Sequence, residues 1–71
     1  MGDEVLAPMP GKITKILVKA GDDVLEDEEV LILEAMKMDN PIFAPSSGKV
    51  KEVRVREGEE VDVDHVLLII E

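Results

Sequence analysis

A chain of 71 residues is one small domain or part of one. It buries only about 60% of its unfolded surface, which leaves little room for a deep pocket on a catalytic framework. Seventeen acidic against eight basic residues, a net charge of −9, disfavour nucleic acid and anionic membranes, which select basic patches, and the lack of cysteine excludes disulfides and thiolate metal sites.

In chain order, Val5-Leu6 reads as a short strand ended by Ala7-Pro8, because proline has no N–H to pair. Gly11 to Val18 alternates as a second strand, and Ala20-Gly21-Asp22-Asp23 reads as a turn. Val30 to Leu33 is a continuous apolar run, predicted to be a strand buried on both faces. Ile42-Phe43, Ala44-Pro45 and Gly48 to Val55 then repeat the opening order. Val50, Val53 and Val55 break strict period two, which predicts a bulge or bend between them. Glu57-Gly58-Glu59-Glu60 is a turn, and Leu67 to Ile70 is a second buried run. Residues 25–38 tolerate helix, but their counterparts from Val61 onward are rich in Val and Ile and decide for strand.

Shifting the sequence by 37 positions lays residues 3–34 on 40–71 without a gap. Eleven of the 32 pairs are identical, among them Ala7/Ala44, Gly11/Gly48, Lys12/Lys49, Gly21/Gly58, Asp27/Asp64 and Glu34/Glu71. Only Ala35-Met36-Lys37-Met38-Asp39 lacks a counterpart. The reading is a single domain over residues 1–71, two half-repeats joined by a hairpin tip at 35–39. Two copies of four short strands predict an all-β fold, a flattened barrel or sandwich about a quasi-two-fold axis. Paired residues should share environments: Val18 with Val55, Val24 with Val61 and Ile32 with Ile69 equally buried, Gly21 and Gly58 with positive φ. Gly11, Gly21, Gly48 and Gly58 are read as turn glycines. The tip should lie near the axis, away from both termini.

Few residues offer chemistry. His65 is the only histidine, and a lone His in an acidic turn reads as a solvated surface residue. The carboxylates from Asp22 to Glu29 lack the spacing of a calcium loop and echo in the second copy, as solubilised turns would. There is no Ser/His/Asp set and no glycine-rich phosphate loop, so no metal and no catalytic residue is assigned. That leaves the spacer. Met36 and Met38 flank Lys37 where Gly, Asn or Asp would make a better turn. A plain reading is a turn lysine with two methionines tucked into the core edge. Against it, methionine suits surfaces that meet several partners.

Glu34-Ala35-Met36-Lys37-Met38 resembles the attachment motif of biotinyl carrier domains, whose core is A-M-K-M. The flanks Ala7-Pro8-Met9-Pro10-Gly11, Gly21-Asp22, Ala44-Pro45-Ser46-Ser47-Gly48 and Gly58 are similar too, so the resemblance spans nearly the whole chain. It implies two four-stranded antiparallel sheets with the lysine on an exposed hairpin. It implies that a biotin–protein ligase joins biotin to the Lys37 amine through an adenylate. It also implies that the biotin carries a carboxyl group between partner active sites: a biotin carboxylase and a carboxyltransferase or decarboxylase component. Ala35, Met36 and Met38 would shape the tip that ligase and partners read. Glu34 would join them, or serve as a strand end like its mate Glu71. The gapless halves leave no room for the protruding insertion of some acetyl-CoA carboxylase carriers.

The domain would itself be no enzyme, but a carrier within a carboxylase, decarboxylase or transcarboxylase. No apolar run approaches the ~18 residues of a membrane span. The Met1-Gly2 start lacks a signal-peptide layout, and Leu6 stands where myristoylation needs Ser or Thr. The expected place is the cytoplasm, or the mitochondrial matrix for a eukaryotic chain, without membrane insertion. Two rival readings are a lipoyl carrier, whose lysine usually follows an acidic residue, and an unmodified barrel-sandwich interaction module.

Overall fold

The computed structural model describes residues 3–71; Met1 and Gly2, where the myristoylation pattern was tested, lie outside the described residues. Eight strands follow one another: β1 (Asp3–Leu6), β2 (Gly11–Ile16), β3 (Asp23–Val24), β4 (Glu29–Ala35), β5 (Met38–Phe43), β6 (Gly48–Val53), β7 (Glu60–Val61) and β8 (Val66–Ile70). They form two four-stranded antiparallel sheets, β1-β8-β6-β3 and β5-β4-β2-β7. Replacing each strand by its repeat mate turns one sheet order into the other. Each sheet takes two strands from each half, so neither half can complete a sheet alone.

The duplication extends to single hydrogen bonds. The Gly21 N–H donates to Val50 O at 2.8 Å and the Gly58 N–H to Ile13 O at 2.6 Å. The Leu17 N–H donates to Val30 O and the Arg54 N–H to Leu67 O, at 2.9 and 2.8 Å. The Asp27 and Asp64 N–H groups donate to Ala44 O and Ala7 O, each at 2.8 Å. Both aspartates have positive φ, 69° and 65°, a conformation that Asp tolerates better than most residues. Their identity in the two copies therefore has a backbone cause. Other acids of the same turns accept backbone N–H groups: Asp22 from Lys19 at 2.9 Å, Glu28 from Leu25 at 3.0 Å and Glu59 from Arg56 at 3.1 Å.

Bulges fall at equivalent places, between Ile13 and Lys15 in β2 and between Val50 and Glu52 in β6. The extra residue re-aims the side chains, so Ile13 and Val50 face inward despite the broken alternation. The core is aliphatic, with Ile13, Val30, Leu31, Leu33, Val50, Leu67, Leu68 and Ile70 buried. No charged side chain is buried among the described residues. The outer edges are guarded. β3 and β7 are two residues long, β1 begins Asp3-Glu4, and β5 carries Pro41, whose missing N–H suits an edge strand.

Several sequence readings need correction. β2 and β6 stop at Ile16 and Val53, two residues early. Ile32 and Ile69 match each other but are only half-buried, because they face outward from sheets that nothing covers. Val24 and Val61 are both buried, whereas Val18 is half-buried and Val55 buried. Gly21 and Gly58 do share positive φ, 96° and 91°. Gly11 and Gly48 are not turn residues; they open β2 and β6. Their need for glycine is steric: a Cβ on Gly11 would lie 2.5 Å from Glu34 O, and one on Gly48 2.7 Å from Glu71 O.

Candidate functional site: the β4–β5 hairpin tip

β4 and β5 pair from Glu29↔Phe43 to Ala35↔Met38, which leaves Met36 and Lys37 as a two-residue loop. The unmatched segment 35–39 is thus mostly strand, and only its centre is loop. Both loop residues have positive φ, 55° and 63°, as the tight hairpin turn that matches strand twist requires. This is where Gly, Asn or Asp would sit without strain, and a side-chain-bearing residue there costs about 1–2 kcal/mol. The tight strand pairing below supplies that energy. Ala35 is buried and anchors the loop, while the Asn40 amide donates to Met38 O at 3.1 Å and braces its base. Asn40 escaped the sequence reading, since its interest lies only in the register.

The methionines are not tucked into the core. Met36 is 89% exposed and Met38 67%, the first and third residues of an apolar-flanked projection. Lys37 is exposed between them and takes part in none of the ion pairs among the described residues, which join Lys51–Glu71, Arg54–Glu52 and His65–Glu59. Its amine therefore has no carboxylate to leave before reacting, and an acyl group joined to it would extend from the domain. The side chains present fit a covalent attachment: a free primary amine on a rigid, narrow base.

Glu34 is exposed one residue below Ala35, in register with Lys12 on β2 and Asp39 on β5. Its backbone carbonyl faces Gly11 as that of its mate Glu71 faces Gly48, so the two positions are equivalent in the backbone. The side chain itself lines the groove beside Met36. His65 is half-exposed, 3.9 Å from Glu59, far in sequence from the tip. The tip is not near the quasi-two-fold axis. That axis exchanges Gly11, beside Leu33 and Glu34, with Gly48, beside Ile70 and Glu71, and so carries the tip end onto the end holding Asp3 and Glu71. Asp3 accepts from the Ser46 hydroxyl at that opposite end.

A family model described as biotin-requiring enzyme matches residues 3–70. The chain belongs to this family. It is a biotinyl carrier domain, and its cofactor is biotin. The biotin carboxyl carrier protein of Streptococcus mutans is 61% identical over 36 residues, 51% of this chain and 28% of that protein. The methylmalonyl-CoA decarboxylase subunit gamma of Veillonella parvula is 58% identical over 40 residues, 56% of this chain and 31% of that subunit. Among solved structures, the urea carboxylase of Kluyveromyces lactis superposes with a TM-score of 0.94 at 27% identity, covering all of this chain and 6% of that one. The carrier domain thus spans less than a third of these relatives. No helix among its described residues is long and apolar enough to cross a membrane.

Proposed function

We propose that residues 1–71 act as one carrier unit in which Lys37 alone is biotinylated, so that the tethered group serves successive active sites of a multi-component enzyme. The carrying observation is the tip itself: an exposed amine on a two-residue loop with positive φ at both positions, flanked by two exposed methionines. When bound, biotin supplies a ureido ring able to accept and yield a carboxyl group. Lys37 contributes the nucleophile. The Lys37 ammonium first gives up a proton, and the neutral amine then attacks the activated carboxyl. The adenylate's AMP leaves, a second proton is released, and the side chain ends as an uncharged amide. Met36 and Met38 offer flexible apolar contact to a biotin–protein ligase and then to each partner site. Ala35 and Asn40 hold the loop in place. Tethering raises the local concentration of the ring at both sites.

The partners are a biotin carboxylase and a carboxyltransferase or decarboxylase component, in line with relatives named as carboxylase and decarboxylase subunits. The domain contributes no reacting group beyond the Lys37 amide. Glu34, at the tip's base, is a further contact for the ligase. The intracellular setting fits relatives such as the mitochondrial methylcrotonoyl-CoA carboxylase subunit alpha of Dictyostelium discoideum.

Co-expression with a biotin ligase tests the assignment. Intact mass should rise by one biotinyl group, which also separates biotin from lipoate, and peptide mapping should place it on Lys37. Lys37→Arg should fold and take no label, because a guanidinium stays protonated and is a poor nucleophile. Biotin found on Lys12, Lys15, Lys19, Lys49 or Lys51 would overturn the reading.

A further inference from the structure

Beside the tip lies an open groove of about 670 Å³, within the size range of small-ligand sites. Met36 forms part of its wall, so a chain attached at Lys37 starts one residue away. The strand register sets Lys12 on β2 between Glu34 on β4 and Glu60 on β7, an acid–base–acid row across three strands. Asp62 adds a carboxylate, and Pro10 and Met36 add exposed apolar surface. The groove thus combines hydrogen-bond acceptors, one ammonium donor and an apolar wall.

We propose that this groove is the resting seat of the ring tethered to Lys37. The proposal rests on the carrier reading above. The carboxylates of Glu34 and Glu60 accept the ureido N–H groups, the Lys12 ammonium donates to the ureido carbonyl, and the apolar edge of the ring lies on Pro10 and Met36. Only weak binding is needed. A short flexible tether holds its end at an effective concentration in the millimolar range, so a seat with millimolar affinity for the free ring is filled about half the time. Exposed charged contacts give under about 1 kcal/mol each, so the millimolar level of about 4 kcal/mol requires the three polar contacts and the apolar wall together. A partner active site that buries the ring then wins it without a barrier from the carrier.

The bland account of the row is ordinary cross-strand charge pairing. The fold supplies a control for it. Asp23, Lys49 and Glu71 form the two-fold-related row at the opposite end, with the same charges and no lysine tip. Only untethered biotin can reach both rows, because the domain is 31 Å long and the tether confines the attached ring to the row beside Met36.

The test uses the ¹³C-labelled domain carrying unlabelled biotin, its loading first established by intact mass. Isotope-filtered NOEs should connect the ring protons to Pro10 and Lys12. The double variant Lys12→Ala, Glu60→Gln should remain folded by thermal melting, lose these NOEs and be captured by avidin about twofold faster, as the free fraction rises from a half towards one. Contacts confined to residues 35–39 would overturn the seat while leaving the carrier reading intact. A chain that takes up no biotin would remove the carrier reading and the seat with it.

Discussion

Replacing Gly11 by alanine probes how fold and tip are coupled. The new methyl would stand 2.5 Å from Glu34 O and 3.0 Å from Leu33 Cδ1. A carbon–oxygen contact ordinarily stands at about 3.3–3.6 Å, so β2 and β4 must part by about 1 Å. Overpacking of this kind costs about 1–3 kcal/mol. Lys12 pairs with Glu34, so the movement also weakens a ladder bond worth about 1 kcal/mol. We expect a loss of about 2–3 kcal/mol. A 71-residue chain has about 4–10 kcal/mol in total. Urea unfolding should show a lower midpoint at unchanged slope, and Tm should fall by about 10–20 °C. Because β4 ends in Ala35 and leads directly into Met36, biotinylation should slow as well. Gly48→Ala meets Glu71 O at 2.7 Å and Ile70 Cγ2 at 2.9 Å, at the other end. It should lose comparable stability and leave the biotinylation rate of its folded fraction unchanged. A Gly11→Ala variant with the stability of the parent would refute the steric argument, and equal biotinylation of the two variants would refute the coupling.

Gly21→Ala and Gly58→Ala have open space around the new methyl, so only their positive φ is penalised, by about 1 kcal/mol each; unequal losses in paired urea titrations would contradict the two-fold equivalence. Met36→Asn places a residue suited to positive φ in the loop and should raise stability by about 0.5–1 kcal/mol while slowing biotinylation; a less stable variant would show that the loop is not strained. Met36→Leu and Met38→Leu keep apolar volume at exposed positions and should change stability by well under 1.5 kcal/mol, yet alter the rate of biotinylation or carboxyl transfer. A sharp drop in Tm with both rates unchanged would return the methionines to a packing role.

The sequence by itself determined the duplication, the all-β class and the singular position of Lys37. These follow from residue identities at a fixed offset, from apolar runs rich in Val and Ile, and from one segment without a mate. Even the bulge was legible, because a break in period two must be absorbed somewhere along the strand. What it could not determine was which backbone passes close to which. Gly11 and Gly48 read as turn glycines, and only the approach of the Glu34 and Glu71 carbonyls shows that they are strand residues denied a Cβ. Asp27 and Asp64 read as soluble surface until their positive φ and their bonds to Ala44 and Ala7 appear. The duplication alone predicts a tip near the axis, whereas the two-fold carries it onto the end where Asp3 meets Ser46. The groove joining Lys12, Glu34 and Glu60 draws on three strands whose pairing is non-local. Periodicity along a chain reports which way a side chain faces; it does not report the strand opposite, since register is set by the packing of both sheets together.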